Sequence, residues 1–231
     1  KVINLLSGGD EANTNLGFQL AASQDMDMEV LAPSLIRHPL LCVDYELWEV
    51  VDKITHLDLA GRKLEELPTQ VGRMGNLKCL NISGNRIGTL PGNVVANLSV
   101  LDWSGNLLAG FPGAVLSRAN RLCYLNLSGN GISQMGWLPS GLRMLDLGNN
   151  LIGDAKHLAS LQKLEYLILS GNALNTLPPG LLKMHWLKGV ILPATLPVEH
   201  VQNELPDCEV VCPKWPAPGM YMDYREHTWG L

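Results

Sequence analysis

Leucine and other apolar residues recur along the middle of this chain at a fixed spacing that ends in asparagine. The clearest copy is LCYLNLSGN, from Leu122 to Asn130. Further copies start at Ile54, Leu77, Leu98, Leu142 and Leu164, and a degenerate one starts at Leu187. The starts lie 23, 21, 24, 20, 22 and 23 residues apart. A period of this length predicts a solenoid, in which each copy buries its apolar face against its neighbours.

Within each copy, alternating apolar and polar residues predict a short strand. Leu125 and Leu127 point into the core, whereas Tyr124, Asn126 and Ser128 point to the opposite face. Seven such strands predict a parallel sheet roughly 30 Å wide, at about 4.8 Å per strand. The pairs Leu-Pro and Phe-Pro at 90–91, 111–112 and 177–178 predict extended or 3₁₀ segments on the return path between strands.

The LxxLxLxxN pattern with a following Leu-Pro resembles the leucine-rich repeat family over residues 54–195. The resemblance implies an α/β fold, a leucine-rich repeat right-handed solenoid with a curved parallel sheet on its concave face and a helical N-terminal cap. The phrase NLLSGGDEANTNLGFQLA resembles the helical flank of a group of bacterial leucine-rich repeat proteins, and LPDCEV resembles their LPxCxV-type closing segment. We therefore expect an N-terminal cap at 1–53, repeats at 54–195, a C-terminal cap at 196–212 and a Pro/aromatic tail at 213–231.

The two flanks carry helix and strand signals. We expect Asp10 to cap a helix over 11–23, and a second helix to cover 45–51. An open solenoid end leaves a hydrophobic cross-section and an unpaired strand edge, so these helices are expected to cover the first repeat. At the other end, a short helix near 198–204 leads to a strand at 208–211. Part of the aromatic tail is expected to pack on this C-terminal cap.

An asparagine closes five of the copies. Where a strand turns sharply, its backbone groups lose their ladder partners, and a side-chain amide can both donate and accept there. We expect these residues to form a buried structural ladder: Asn85, Asn106, Asn130, Asn150 and Asn172. Arg62 and Thr195 take the same place in the first and last copies, so those turns are expected to face a cap or solvent.

Composition narrows the possible partners and compartments. The net charge is −5 with scattered signs, so we expect no nucleic-acid partner. No run of about 18 apolar residues exists, so no membrane span is expected. The five cysteines are odd in number and not clustered, which favours reduced thiols and a cytoplasmic protein. The chain begins at Lys1, and a signal peptide or a larger parent preceding it stays an open alternative.

Recognisable catalytic or metal-binding motifs are absent from the sequence. HExxH, GxSxG and the phosphate-binding GxxxxGK(S/T) do not occur, and GNGISQMG at 129–136 lacks the spacing of a dinucleotide-binding loop. Zinc could in principle be bound by Cys208, Cys212, His200 and His227, but their spacing matches no recognised zinc pattern. We therefore expect no enzyme activity, no cofactor and no metal.

The candidate site lies on the concave face, where two rows of side chains leave the core. The first row is His56, Cys79, Val100, Tyr124, Met144, Tyr166 and Gly189; the second is Asp58, Asn81, Asp102, Asn126 and Asp146. Exposed Tyr and Met are favoured in interface cores, and an acidic row could attract a basic peptide or a cation. A solvated acidic face is the plainer interpretation, since LDLSGN is common wording in this family. The candidate partner-binding residues are Tyr124, Met144, Tyr166, Asp102, Asn126 and Asp146.

The favoured function is a non-catalytic protein–protein interaction module, monomeric, that binds a protein or peptide on its concave face. Strands locked in a solenoid bind without further ordering cost. One alternative is the substrate-recognition arm of a larger enzyme or secreted effector, because WLPSGLRMLDL at 137–147 resembles the repeats of such effectors. A second alternative is surface adhesion or carbohydrate binding, which would require exposed tryptophans. Trp103, at an inward leucine position, is expected to be buried.

Overall fold

A computed structural model describes residues 2–23 and 26–211 of the 231-residue chain, without the side chain of Val211. The chain divides into two compact units: Lys1–Leu57 with Pro68–Leu77, and Asp58–Leu67 with Lys78–Leu231. We call them the N-terminal unit and the repeat unit. The first repeat contributes to both, because its return segment belongs to the N-terminal unit. The expected tail at 213–231 lies outside the described residues, and so does Cys212.

The N-terminal unit is helical. Its helices are α1 (Val2–Ser7), α2 (Glu11–Ser23), α3 (Met28–Leu35), α4 (Pro39–Asp44) and α5 (Trp48–Val51), and a 3₁₀ turn covers Thr69–Arg73. The predicted helix over 11–23 is confirmed, and Asp10 caps it by accepting a hydrogen bond from the backbone N–H of Asn13 at 3.1 Å. The second predicted helix begins later than residue 45, because Glu46 has a φ of +55°, which a continuing helix does not allow.

The return segment of the first repeat packs within this unit. Gln70 donates its side-chain N–H to Asp44 at 3.0 Å. The Arg73 guanidinium lies 4.6 Å from the centre of the Trp48 ring and 3.7 Å from the Glu46 carboxylate. A cation over an aromatic face is attracted by the ring quadrupole. Polar and cation–π contacts thus join residues about 25 positions apart inside the N-terminal unit.

Eight short strands form a single parallel sheet in chain order. They are β1 (His56–Asp58), β2 (Cys79–Asn81), β3 (Val100–Asp102), β4 (Tyr124–Asn126), β5 (Met144–Asp146), β6 (Tyr166–Ile168), β7 (Gly189–Ile191) and β8 (Glu209–Val211). The predicted solenoid sheet is confirmed. It has one strand more than the seven counted from the repeats, because the C-terminal segment supplies β8.

The core of the repeat unit lies behind this sheet. Its central column is formed by the middle residues of successive strands, all nearly inaccessible: Leu80, Leu101, Leu125, Leu145, Leu167 and Val190. Burying one such side chain stabilises the fold by about 1.5–3 kcal/mol. Trp103 is fully buried, as predicted, and its indole N–H donates to the carbonyl of Ile87 at 2.9 Å. The hydrogen bond satisfies the only polar group of that side chain.

The return segments are short. They contain one-turn helices α6 (Gly92–Val95) and α7 (Gly113–Leu116), followed along the chain by 3₁₀ turns at Lys156–Ser160 and Leu181–Lys183. Pro91 is extended and directly precedes α6, and Pro112 directly precedes α7, so these two segments contain a single helical turn and not a long helix. After Leu177-Pro178 the expected 3₁₀ turn is present at Leu181–Lys183. The predicted C-terminal helix is α8 (Val198–Glu204). None of the described helices is long and apolar enough to cross a membrane.

Candidate interaction surface

Strands β1 to β6 each lead into a turn with a left-handed backbone. The residue before the ladder position has a φ of +52° to +69° in every repeat of the sheet except the last: Gly61, Gly84, Gly105, Gly129, Asn149 and Gly171. Glycine adopts this conformation without a steric penalty, and asparagine tolerates it best among the other residues. The turn brings the next residue, the ladder asparagine, back against the preceding repeat.

The asparagine side chains bond to backbone groups of two successive repeats. In the middle of the array, Asn130 donates through Nδ2 to the carbonyls of Trp103 and Leu127, each at 3.0 Å. Its Oδ1 accepts from the backbone N–H groups of Asn106 at 3.1 Å and Leu108 at 3.2 Å. Equivalent bonds to the preceding repeat are made by Asn85, Asn106, Asn150 and Asn172. These side chains therefore hold successive turns together; Asn85, Asn106 and Asn150 are buried, whereas Asn130 and Asn172 are half-buried.

The end positions of the ladder differ from the middle. Arg62 is exposed. Thr195 makes one bond, from its Oγ1 to the carbonyl of Leu174 at 2.8 Å. A hydroxyl offers a single donor, so it replaces only part of what the amide supplies.

The concave face, which carries the first and third residue of each strand, contains an apolar stripe. Its members are Cys79, Val100, Tyr124, Met144, Tyr166, Ile168 and Ile191. The stripe follows the first strand position from β2 to β6 and then moves to the third position on β6 and β7. In the strand register, Met144 pairs with Tyr124 on one side and with Tyr166 on the other. Three of the candidate binding residues are thus direct neighbours.

Met144 is less accessible than strand alternation alone suggested. It is 7% exposed, and Tyr124 and Tyr166 are half-buried beside it. Strand alternation predicts the face on which a side chain lies. How much of that side chain contacts water depends on the side chains of the adjacent strands, which lie only about 4.8 Å away. The two tyrosines therefore offer most of the accessible apolar surface, and Met144 forms the floor between them.

The second row of the face, which we call the polar row, consists of Asp58, Asn81, Asp102, Asn126 and Asp146. In each of them the side-chain Oδ1 accepts a hydrogen bond from the backbone N–H two residues further on, at 2.8–3.0 Å. This is the Asx turn, in which an Asp or Asn side chain replaces a backbone acceptor. This role was not predicted from the sequence, although the alternation of Asp and Asn at one repeat position was a signal for it.

Two of the three carboxylates of the polar row are covered, whereas Asp58 is exposed. Asp102 is 6% exposed and Asp146 is 2% exposed. Asp102 accepts at Oδ1 from the hydroxyl of Ser104 at 2.6 Å, and at Oδ2 from the amide of Asn126 at 3.4 Å. Neither the polar row nor the apolar stripe contains a lysine or arginine. This side of the concave face is therefore negatively charged.

An ion network borders the stripe on its other side, at the residues directly before β5, β6 and β7. Glu165 accepts from Arg143 Nε at 2.6 Å, and its second oxygen lies 2.6 Å from Lys188 Nζ. The hydrogen bond from Lys188 lowers the pKa of the Glu165 carboxyl, and with the bond from Arg143 it outweighs the opposing effect of burial. Arg143 lies within electrostatic reach of Tyr124, and Lys188 of Tyr166. Two cations share one carboxylate here, which leaves an excess of positive charge.

Within 2–23 and 26–211, no group of three or more His, Cys, Asp or Glu side chains is placed to hold a metal ion. The zinc candidates Cys212 and His227 lie outside these ranges. The described cysteines are free thiols: Cys42, Cys79, Cys123 and Cys208. Burial raises the pKa of Cys42 to about 12 and that of Cys208 to about 11, so both thiols are protonated at neutral pH.

Comparison with known proteins agrees with this architecture. The family model described as Leucine Rich Repeat matches residues 76–95 and 163–184. No curated protein matches the chain in sequence. Among solved structures, internalin C2 from Listeria monocytogenes is similar over 71% of this chain and 72% of its own, with a TM-score of 0.60 and 22% identity.

Two further solved structures share the fold. The internalin InlF of Listeria monocytogenes has a TM-score of 0.56 and 20% identity over 70% of this chain. A leucine-rich repeat protein of Leptospira interrogans has a TM-score of 0.53 and 24% identity over 72% of this chain. The matches cover 48% and 57% of those two proteins, so the chain spans about half of their length. Together with the repeat matches, these likenesses show that the chain contains leucine-rich repeats and has the α/β solenoid fold.

Proposed function

We propose that this chain is a non-catalytic recognition module that binds a protein or peptide segment on the concave face of its sheet. Leucine-rich repeats are a common protein–protein interaction module. The observation that supports the proposal is the apolar stripe, where Tyr124 and Tyr166 stand half-buried on either side of Met144 in strand register. Aromatic residues and Met are enriched in interface cores, and Tyr often supplies a large share of the binding energy.

The frame around the stripe supports tight binding without large rearrangement. The backbone of each strand is hydrogen-bonded to its neighbours, and the turns after β2 to β5 are each fixed by a ladder asparagine and an Asx turn. A surface that is already ordered loses little conformational entropy on binding. The two accessible members of the stripe, Tyr124 and Tyr166, lie two strand spacings apart, or about 10 Å. The buried members beside and between them form the floor on which a partner segment would rest.

The six candidate residues have different parts in the proposal. Tyr124 and Tyr166 are the anchors, because they combine apolar area with accessibility. Met144 supports both rings from between. Asp102, Asn126 and Asp146 hold the turns next to the stripe and give that side its negative potential. A mutation of the tyrosines tests binding most directly, since their side chains are not part of the buried core.

The test compares two double variants. Tyr124→Ala with Tyr166→Ala removes the anchors, whereas Leu107→Ala with Leu151→Ala removes two apolar side chains that are 65% and 62% exposed and lie outside the stripe and the polar row. Partners are captured with the wild-type chain, identified by mass spectrometry and measured by calorimetry. We expect the tyrosine variant to lose at least about 2 kcal/mol of binding free energy, roughly thirtyfold in Kd, and the leucine variant to bind normally.

Full affinity of the tyrosine variant, with circular dichroism showing an intact fold, would place the binding surface elsewhere on the chain. The domain content of the full-length protein and the chemistry of the captured partner distinguish the two alternative functions. A covalently linked catalytic domain in the full-length protein would make this chain the recognition arm of a larger enzyme or effector. Binding to glycans through Trp137, which is 52% exposed, would support adhesion.

We also propose a monomeric cytoplasmic protein, which the free thiols at Cys42, Cys79, Cys123 and Cys208 support, since disulfides form in oxidising compartments. Fractionation of the source cells tests the compartment, and recovery from the medium or the cell surface would contradict a cytoplasmic location. Light scattering of the purified chain tests the oligomeric state, and a dimer mass would contradict a monomer.

A further inference from the structure

Basic residues are concentrated where the chain enters strands β4 to β7. The three residues directly before each of these strands include four cations and one carboxylate: Arg121, Arg143, Lys163, Lys188 and Glu165. We call this group the basic rim. Four positive charges and one negative charge leave an excess of three positive charges here, in a protein whose net charge is −5. The basic rim ends before β8, where Asp207 precedes the strand and Glu209 begins it.

The basic rim borders the accessible part of the apolar stripe. Arg143 lies within electrostatic reach of Tyr124, and Lys188 of Tyr166. Arg121 and Lys163 each lie three residues before one of these tyrosines, so their backbones are at most about 11 Å from it. Both cations are exposed, and within the part of the chain that the structure describes no ion pair joins either of them to a carboxylate. Two cations therefore accompany each tyrosine.

We propose, resting on the proposed function, that the partner is an acidic segment of a protein. Its aspartate or glutamate side chains bind along the basic rim, and an apolar side chain beside them packs against Tyr124 or Tyr166. Complementary charge at the edge of an interface speeds association and selects the partner. From β4 to β7 the rim spans three strand spacings, or about 14 Å. An extended segment of about four or five residues covers this length.

The cations of the ion network keep bonding capacity for a partner. The side chains of Arg143 and Lys188 are 50% and 58% exposed, although both contact Glu165. A guanidinium has five N–H donors and an ammonium has three, so one shared carboxylate does not use all of them. Hydrogen bonds from these groups to a partner carboxylate are charge-assisted and therefore strong.

The other concave position decides on which side of the stripe the acidic groups lie. On β6 and β7 the third strand position holds Ile168 and Ile191, so the stripe widens there and these two strands place no carboxylate on the concave face. Asp102 and Asp146 hold that position on β3 and β5. They repel acidic groups, so the acidic side chains of the segment lie on the rim side of the stripe.

The experiment selects peptides from a displayed library on the full 231-residue chain. The peptides are random sequences of about 12 residues, long enough to cross the rim as a helix or as an extended segment. Acidic and basic residues are encoded at equal frequency, so the library itself has no bias in charge. We expect the selected peptides to be rich in Asp and Glu and to contain an aromatic or long aliphatic residue. Their affinity should fall as salt is added, because salt screens exposed charges.

Two double variants with the same change in net charge test the rim. Arg121→Gln with Lys163→Gln removes two cations of the rim. Arg86→Gln with Lys156→Gln is the matched control, because it removes two exposed cations that lie outside the rim. We expect the selected peptides to associate with the rim variant at least about fivefold more slowly at low salt, and with the control at the wild-type rate. Surface plasmon resonance at two salt concentrations measures both rates, and the difference should shrink at high salt.

A third variant should change binding in the opposite direction. Glu165→Gln removes the one carboxylate of the rim and leaves the charge of Arg143 and Lys188 without its internal counterpart. We expect this variant to bind the selected peptides about threefold more tightly than the wild-type chain. A role of Glu165 confined to stability would leave this affinity unchanged or reduced, with circular dichroism confirming that the variant is folded.

The outcomes separate this inference from the function on which it rests. Selected peptides that are not acidic, or that bind the rim variant at the wild-type rate, but still require Tyr124 and Tyr166 would overturn the acidic partner and leave the proposed function standing. Peptides that keep full affinity for Tyr124→Ala with Tyr166→Ala would overturn both, and so would a selection that yields no binder. A mixed-sequence single-stranded oligonucleotide is the remaining probe. Oligonucleotide binding that is lost in the rim variant, without acidic peptide binders, would assign the rim to nucleic acid and overturn the proposal.

Discussion

Asn126 donates its side-chain amide to Oδ2 of Asp102 on the neighbouring strand, at 3.4 Å. The bond reflects the alternation of the polar row, in which an asparagine separates each pair of carboxylates. Like charges directly opposite each other on adjacent strands are destabilising. The alternation therefore keeps the acidic residues two strand spacings apart, at about 9–10 Å.

Replacing this amide by a carboxylate tests the alternation. Asn126→Asp keeps the acceptor for Ser128 but places three carboxylates on successive strands. We expect a loss on the order of 1–3 kcal/mol in the free energy of unfolding at neutral pH, because charges about 5 Å apart repel in a partly buried site. The loss should shrink as added salt screens the charges and as acid protonates them. Urea titrations at two salt concentrations and two pH values measure it, and a loss independent of both would point to packing.

The ladder is tested by comparing its middle with its end. Asn130→Ala removes hydrogen-bond partners from the carbonyls of Trp103 and Leu127 and from two backbone N–H groups, at a cost of about 1–3 kcal/mol. Arg62→Ala, at the exposed equivalent position, should cost far less. Denaturant titrations of both variants give the comparison. Equal effects would show that the amide is not essential to the frame.

The left-handed turn gives a third prediction. Gly129→Ala should destabilise the protein by about 1–2 kcal/mol, because φ at this residue is +64° and alanine adopts that conformation at a cost. A Cβ there would meet no atom closer than 3.5 Å, so the penalty is conformational and not a clash. Gly153→Ala is the matched control, since a Cβ there would meet nothing within 4 Å and φ is not in the left-handed range. Thermal melting of the two variants should differ; similar melting temperatures would contradict the assignment.

The ion network predicts a specific pH dependence of stability. The pKa of Glu165 is lowered in the folded state, so its stabilising contribution is fully present above the ordinary carboxyl pKa of 4.5 and is lost as the pH falls through the lower, folded value. Glu165→Gln should therefore be less stable than the wild-type chain at pH 7 and equally stable at strongly acidic pH. Unfolding titrations from pH 7 to pH 3 measure the difference. A difference that stays constant with pH would exclude an ionic origin.

The repeat frame could be predicted because its period is visible in the sequence and each repeat performs the same packing. The positions of Asn130, Trp103 and Leu125 follow directly from that period. The ion network of Arg143, Glu165 and Lys188 could also have been predicted from the repeat pattern, because each of these residues directly follows the first leucine of its repeat. It was not predicted, because the alternation of apolar and polar residues concerns only the positions within each strand.

Other features depend on information that a pattern does not contain. The helices α3 and α4 are short and carry prolines, Pro33 within α3 and Pro39 at the start of α4, which sequence rules take as breaks. Proline is compatible with the first helical turn, where its missing N–H has no intrahelical partner, and this explains Pro39 at the start of α4. Pro33 lies beyond the first turn of α3, so the same reason does not apply to it. The burial of Met144 depends on the side chains of two neighbouring strands, and periodicity does not give their sizes or rotamers.

The asparagine ladder also has a mechanical consequence. Each amide holds the repeat before it, and contacts in a solenoid join only nearest neighbours. Force applied at the C-terminal side should therefore detach the repeats one after another, starting from the end where Thr195 makes a single bond. Each event would release one repeat, about 22 residues, and lengthen the chain by roughly 70 Å when fully extended. The extension of a single molecule held in an optical trap should therefore increase in steps of this size, one step for each repeat that detaches.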